Sequence, residues 1–189
     1  MSGTRTPPAS ATGPRRVVLT GSESVGKTTL AGRLAAHFGV PLVPEYVRGY
    51  AEAKGAPLDF TDHGPIARGQ IAAEDAVLAD AVAAQHPVIV LDTDLMSTVA
   101  YCHHYFGRCP AFLESLARER RADLYLLLDI DVPWVADGVR DRGDRREAVQ
   151  ALFRETLKRL GAPVTLIRGS WDERLATARL HMERLFSPR

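Results

Sequence analysis

At 189 residues the chain is long enough for one domain with a proper buried core. Its formal net charge is +1, so no global field recruits nucleic acid or an anionic membrane, and no apolar run reaches the roughly 20 residues that a bilayer span needs. Two cysteines, Cys102 and Cys109, are too few for a disulfide framework, which leaves a reducing cytoplasm as the default.

Residues 1–15 are rich in Pro, Ser, Thr and Gly and lack an apolar signal-peptide core; they read as a disordered tail ahead of a single domain over 16–189. A first strand is expected at 17–20 and a helix at 27–38, with a glycine-rich turn between them. A short second strand at 42–43 ends at Pro44 and runs into a turn, Glu45-Tyr46-Val47-Arg48. Residues 64–85 carry apolar side chains at helical spacing. The third strand, within 86–92, is continuously apolar, as expected for a strand covered on both faces. Helical pieces at 97–105 and 111–121 precede a fourth strand at 124–130, a charged segment at about 131–147 and a helix at 147–160. A fifth strand at 163–167 and a helix at 172–185 close the chain. This alternation is α/β: a five-stranded parallel sheet flanked by helices in three layers, with ligands beyond the carboxyl ends of the strands.

The turn after the first strand reads Gly21-Ser22-Glu23-Ser24-Val25-Gly26-Lys27-Thr28-Thr29, which fits G-x-x-x-x-G-K-[ST] between a strand and a helix. In such a P-loop the glycines let successive N–H groups curl toward phosphate oxygens, and the helix N-terminus adds partial positive charge. Lys27 is expected on the β- and γ-phosphates of ATP, and the Thr28 hydroxyl on Mg²⁺. The third strand ends in Asp92-Thr93-Asp94. Asp92 stands where the Mg²⁺-side carboxylate of a P-loop protein belongs. Asp94, two residues on, is expected to point the same way and serve the metal shell or an acceptor's hydroxyls; capping the next helix is the other reading.

Glu45 follows the second strand, where a carboxylate can face the γ-phosphate from the acceptor side and take a hydroxyl proton. Tyr46 and Arg48 fall in the same acceptor region, although a solvated Glu45–Arg48 pair accounts for the segment equally well. Residues 131–147 carry Trp134, Arg140, Arg142, Arg145 and Arg146 around two glycines and read as a closing flap whose arginines neutralise a migrating phosphoryl group. The interleaved aspartates fit a solvated charged surface instead. Trp134 either covers a ring or packs in the core. Tyr101 and Tyr105 either line an acceptor pocket or pack in the core; Gln70 and Glu74, one turn apart, either face that pocket or are solvated. Gly169 and Ser170 follow the last strand, where P-loop kinases commonly set backbone against adenine. Cys102, His103, His104 and Cys109 match no closed zinc spacing and read as a helix end with a loop.

The chain contains no asparagine, so the N-K-x-D guanine motif of switch GTPases is absent. An AAA-type motor needs a lid domain and sensor residues, for which the length is too short. A small-molecule kinase needs only a phosphate loop, an acceptor pocket and a flap. The segments "GSESVGKTTLAGRLAAHFGVPLVPEYVRGY", "VIVLDTD", "PWVADGVRDRG" and "APVTLIRGSWDERL" together resemble the NadR-type ribosylnicotinamide kinase domain, from Val17 to about Leu185. That resemblance implies a fold like the nucleoside monophosphate kinases and transfer of the γ-phosphate of ATP to the 5′-hydroxyl of nicotinamide riboside, in NAD salvage. It puts Lys27 and Thr28 on phosphates and Mg²⁺, Asp92 at the metal, Glu45 and Asp94 at the acceptor, and Arg140 with Arg142 on the flap. Family members that do more carry a nucleotidyl-transferase domain, for which no sequence remains here. The expected partner is a small molecule such as nicotinamide riboside, without nucleic acid or membrane, in a chain free to form homo-oligomers. Acceptors in other nucleosides or small alcohols, and an ATPase module with no acceptor, are the alternatives.

Overall fold

The computed structural model describes residues 13–132 and 146–186. Five strands, β1 (Arg15–Thr20), β2 (Leu42–Val43), β3 (Val88–Asp92), β4 (Leu124–Leu128) and β5 (Val164–Ile167), form one parallel sheet in the order β2-β3-β1-β4-β5. β1 lies at the centre, with Leu19 opposite Asp92 of β3 and Leu126 of β4. Every residue of β3 and β4 is buried, which is why both read as unbroken apolar runs rather than alternating ones.

Seven helices cover the sheet: α1 (Lys27–Phe38), α2 (Tyr46–Lys54), α3 (His63–Ala83), α4 (Leu95–Phe106), α5 (Ala111–Glu119), α6 (Arg146–Arg159) and α7 (Trp171–Phe186). Strand side chains alternate between two cores. Val17, Leu19, Val90 and Leu126 pack with Leu30 and Leu34 of α1 and Met182 of α7. Val18, Leu91, Tyr125 and Leu127 pack on the opposite face with Val99 of α4, Leu113 of α5 and Phe153 of α6. The α/β sandwich expected from the alternation of elements is the one observed.

The exception is α2. The segment after β2, expected as a turn, is a helix of nine residues. None of its residues is buried, and Gly49 lies in its interior. Its fold comes from α3: Tyr50 donates to Asp62 at 2.9 Å, and Lys54 pairs with the same carboxylate. Asp62 belongs to a single 3₁₀ turn, Phe60–Asp62, that opens α3. The tail that the sequence marks as disordered lies almost wholly outside the described residues, as does most of the charged segment after β4.

Candidate active site

The P-loop is built as its glycines require. Gly21 has φ 130°, and a Cβ there would stand 2.8 Å from the Leu128 carbonyl oxygen of β4. Gly26 caps α1 with φ 88°, and a Cβ there would strike the Trp171 ring at 2.1 Å. Gln150 of α6 staples the loop to the sheet: its Oε1 accepts from Ser22 N–H at 3.1 Å while its Nε2 donates to the Leu128 carbonyl at 2.9 Å. Arg174 of α7, fully buried, does the same from the other side. It donates to the carbonyls of Val25 (3.0 Å), Gly169 (2.9 Å) and Asp129 (3.0 Å) and pairs with Asp131.

Within this frame the Lys27 ammonium rests on the Ser22 carbonyl at 2.7 Å and the Gly21 carbonyl at 3.2 Å, so it lies folded over the mouth of the loop. The Thr28 hydroxyl donates to Asp92 Oδ2 at 2.6 Å, which joins the start of α1 to the end of β3. The other oxygen of Asp92 is buried and has no hydrogen-bond partner among the described residues. Burial pushes the Asp92 carboxyl above its ordinary pKa, the Thr28 bond opposes that, and the negative charge of Glu45 adds to it. An ionised carboxylate with a vacant oxygen beside a threonine hydroxyl is a donor set suited to a hard divalent cation such as Mg²⁺.

The backbone breaks immediately after Asp92. Thr93, β-branched, has φ 69°, a conformation such residues rarely adopt and one that costs about 1–3 kcal/mol. The kink ends the strand alternation, so Asp92 and Asp94 do not share a face. Asp92 meets α1, whereas Asp94 turns to the opposite core and caps α4. Its Oδ1 accepts from Met96 N–H at 3.0 Å and Ser97 N–H at 3.4 Å, and its Oδ2 from the Tyr125 hydroxyl at 2.6 Å. The expected acceptor role of Asp94 is therefore corrected: both of its oxygens are spent on the fold, and it does not line the cavity described next.

That cavity, of about 620 Å³, opens between α2, α3 and α4 on the acceptor side of the strand ends. Glu45, Arg48, Thr93, Ser97, Tyr101 and Tyr105 are among its walls. Glu45 is the residue before α2; its side chain is 6% exposed and stands 3.5 Å from Arg48. Tyr101 and Tyr105 lie with ring centroids 6.0 Å apart and planes within 15° of parallel. The Tyr105 hydroxyl donates to Glu23 of the P-loop at 3.1 Å, so the aromatic wall and the phosphate grip meet. Gln70 and Glu74 do not line the cavity. They are buried and bonded to each other at 3.1 Å.

Tyr46 also departs from its expected place. It is not among the cavity walls; its ring lies flat against Gly69 of α3, where a Cβ would stand 1.9 Å from Cζ. Trp134, Arg140 and Arg142 fall outside the described residues. Of the arginine segment, Arg146 is described, and it reaches the P-loop, donating to the carbonyls of Ser24 at 3.3 Å and Val132 at 2.7 Å. The amides of Gly169 and Ser170 are held by Asp131 (2.6 Å) and Glu173 (2.8 Å), and the Gly169 carbonyl shares Arg174 with the Val25 carbonyl of the P-loop. The Trp171 ring, 39% exposed between Arg33 and Arg174, lies directly against Gly26. The roles of Gln150, Thr93, Trp171 and Arg174 at the loop and strand end were not legible in the sequence. Of these, Trp171 carried a signal, being an aromatic residue directly after the last strand's loop; the others are ordinary residues made special by long-range contacts.

His103, Cys109 and Glu114 offer ligand atoms within 4.8 Å of one another. Glu114 is already held by Arg159 at 2.6 and 3.1 Å and by His103 at 2.7 Å, which makes the cluster an ion-pair joint between α4, α5 and α6.

Residues 16–174 match the family described as an AAA domain. The trifunctional NAD biosynthesis/regulator proteins NadR of Salmonella typhimurium and Escherichia coli are each 38% identical, over 76% and 70% of this chain. The chain spans about a third of the length of those relatives, 36% and 33%. A crystal structure of NadR in complex with NR superposes with a TM-score of 0.78 at 26% identity, over 93% of this chain and 52% of that one. NadR in complex with NAD and AMP-PNP gives 0.76 at 22%, over 93% and 51%. Thymidylate kinase from Ehrlichia chaffeensis, at 16% identity, shares the fold with a TM-score of 0.67 over 90% of this chain and 99% of its own. The match to the family covers the phosphate-binding core and does not by itself imply a motor. The chain therefore belongs to the AAA domain family of P-loop proteins, and its likeness among known proteins is to NadR.

Proposed function

We propose that the chain is an ATP- and Mg²⁺-dependent kinase that transfers the γ-phosphate of ATP to the 5′-hydroxyl of nicotinamide riboside, giving the mononucleotide. The observation that carries this reading is the position of the cavity. It lies across the strand ends from the P-loop, with Glu45 on its wall and near enough to Asp92 to raise that carboxyl electrostatically. Its volume, about 620 Å³, is that of a site for a nucleoside-sized ligand. NadR structures with NR and with NAD and AMP-PNP bound support the choice of acceptor and donor.

The P-loop amides and the α1 N-terminus hold the triphosphate, and Lys27 leaves its two carbonyls for the β- and γ-oxygens. Thr28 and Asp92 would hold Mg²⁺, which would supply positive charge against the developing negative charge of the phosphates. Glu45 accepts the proton of the attacking hydroxyl, and Tyr101 with Tyr105 seats the flat ring at the other end of the acceptor. Arg48 faces the same space and steadies phosphate or ribose. Most of the rate comes from alignment and charge stabilisation, since phosphoryl transfer asks little covalent chemistry of the protein. The same reading takes Arg140 and Arg142 as the cations that neutralise the migrating phosphoryl group. ATP supply and the free thiols of Cys102 and Cys109 suit a cytoplasmic enzyme.

The test is ADP release with a panel of ribosides and small alcohols, with products identified by mass spectrometry. Riboside-dependent ADP release with a product heavier by one phosphoryl group is expected for nicotinamide riboside. Release indifferent to every acceptor would leave a nucleotide-binding ATPase module instead.

A further inference from the structure

The residue that this mechanism asks most of stands immediately before α2, a helix none of whose residues is buried. Its far end is tied to Asp62 by Tyr50 and Lys54. Its near end, next to Glu45, rests on two adjacent residues of α3. Gly69 leaves a bare patch of helix backbone that the Tyr46 ring occupies; any side chain there would overlap it. Gln70, 3% exposed, accepts the Tyr46 N–H on Oε1 at 3.3 Å.

The orientation of that amide is fixed from behind. Gln70 Nε2 donates to Oε1 of Glu74, also 3% exposed, at 3.1 Å, and Arg120 closes on the other Glu74 oxygen at 3.4 Å. A flipped Gln70 would set its oxygen against a carboxylate and its NH₂ against an N–H, losing both bonds. The buried carboxylate thus dictates which end of Gln70 faces α2. Burying such a chain is costly unless its polar groups are satisfied, and here both ends of the Gln70 amide and both Glu74 oxygens are bonded.

We propose that Gly69 and Gln70 are positioning residues for Glu45: they hold the first turn of α2 so that the Glu45 carboxylate stays at the phosphate end of the cavity. This rests on the kinase reading above. A carboxylate that must meet a hydroxyl proton tolerates little displacement, and misplacement by about 1 Å can cost up to about a hundredfold in rate.

The experiment uses the full chain. Gln70→Leu keeps the bulk and removes the bond; Gly69→Ala displaces the Tyr46 ring. Each is expected to lower kcat with nicotinamide riboside by about ten- to a hundredfold while KM for ATP stays within about twofold. Introduced into a Glu45→Gln background, Gln70→Leu should add less than about twofold, because the group it positions is already gone. Tyr50→Phe, which loosens the far end of the same helix, should leave kcat unchanged. In hydrogen exchange, the Tyr46 amide should be protected in the wild-type chain and lose protection in Gln70→Leu, with the core amides unaltered. Full kcat in Gln70→Leu, multiplicative effects with Glu45→Gln, or an equal loss in Tyr50→Phe overturns the proposal. If the wild-type chain phosphorylates no riboside, the kinase reading fails separately, and an unprotected Tyr46 amide then overturns this one.

Discussion

Lys27 shows how one side chain is prepared by its surroundings. Lys27 is 8% exposed, and its ammonium sits on two carbonyls of the P-loop. Leaving those carbonyls for a triphosphate exchanges neutral acceptors for charged ones, which form stronger bonds. Lys27→Ala is expected to lower kcat by about 10²–10³, the usual cost of removing one charge-stabilising donor. Steady-state ADP release measures it, and near-normal turnover would show that the phosphate site has been misassigned. Thr93 works at the same scale. A single left-handed β-branched residue sends Asp92 and Asp94 to opposite sides of the sheet, one to the phosphate site and one to the core.

Among the elements, α4 couples fold to site. Asp94 caps its N-terminus, Ser97 and Tyr101 on it line the cavity, and Tyr125 of β4 fastens the capping carboxylate from below. Burial pushes the Asp94 carboxyl up to about 7, although the Tyr125 and backbone hydrogen bonds favour the charged form. A pKa raised on folding means that the folded chain binds this proton more tightly than the unfolded chain. The stabilisation is complete below the unfolded pKa of about 4 and lost as pH climbs through about 7. The urea midpoint of the wild-type chain should therefore fall across that window, and Asp94→Asn, which can still cap the helix, should flatten the slope. An unchanged slope in Asp94→Asn would assign the pH dependence elsewhere. α2 is the complementary case, an element whose place is set by polar contacts at its two ends rather than by burial.

At the scale of the whole molecule, the described residues form a sheet with two filled cores, and the P-loop and the cavity both lie beyond the strand ends. A ligand bridging the P-loop and the cavity would tie α1, α2 and α4 together and stabilise the chain by mass action. ATP with Mg²⁺ at about a hundredfold above Kd should contribute about 2.7 kcal/mol, a rise of roughly 5–10 °C in Tm for a domain of this size. Chelation of the metal should remove much of that rise, and Asp92→Asn should remove the same part with the metal present. A thermal melt with and without chelator decides it. A rise that is indifferent to both changes would free Thr28 and Asp92 of the metal role.

The sequence by itself determined the layers and the phosphate grip, because both are written locally. Buried parallel strands must be apolar throughout, as β3 and β4 are, and a P-loop needs its glycines, lysine and threonine at fixed spacing whatever surrounds it. Glu45 was also legible as a residue beyond a strand end, and the structure puts it with Tyr101 on one cavity wall. Only the tertiary structure decided that Asp94 is spent on a helix cap, that Tyr46 packs on Gly69, that residues 46–54 are helical, and that Arg174 and Gln150 hold the loop from either side. Each of these depends on a partner far along the chain. Hydrogen bonds and close packing are satisfied in space, and no local pattern of residue types can say which of two carboxylates, two residues apart, will find its partner in the core.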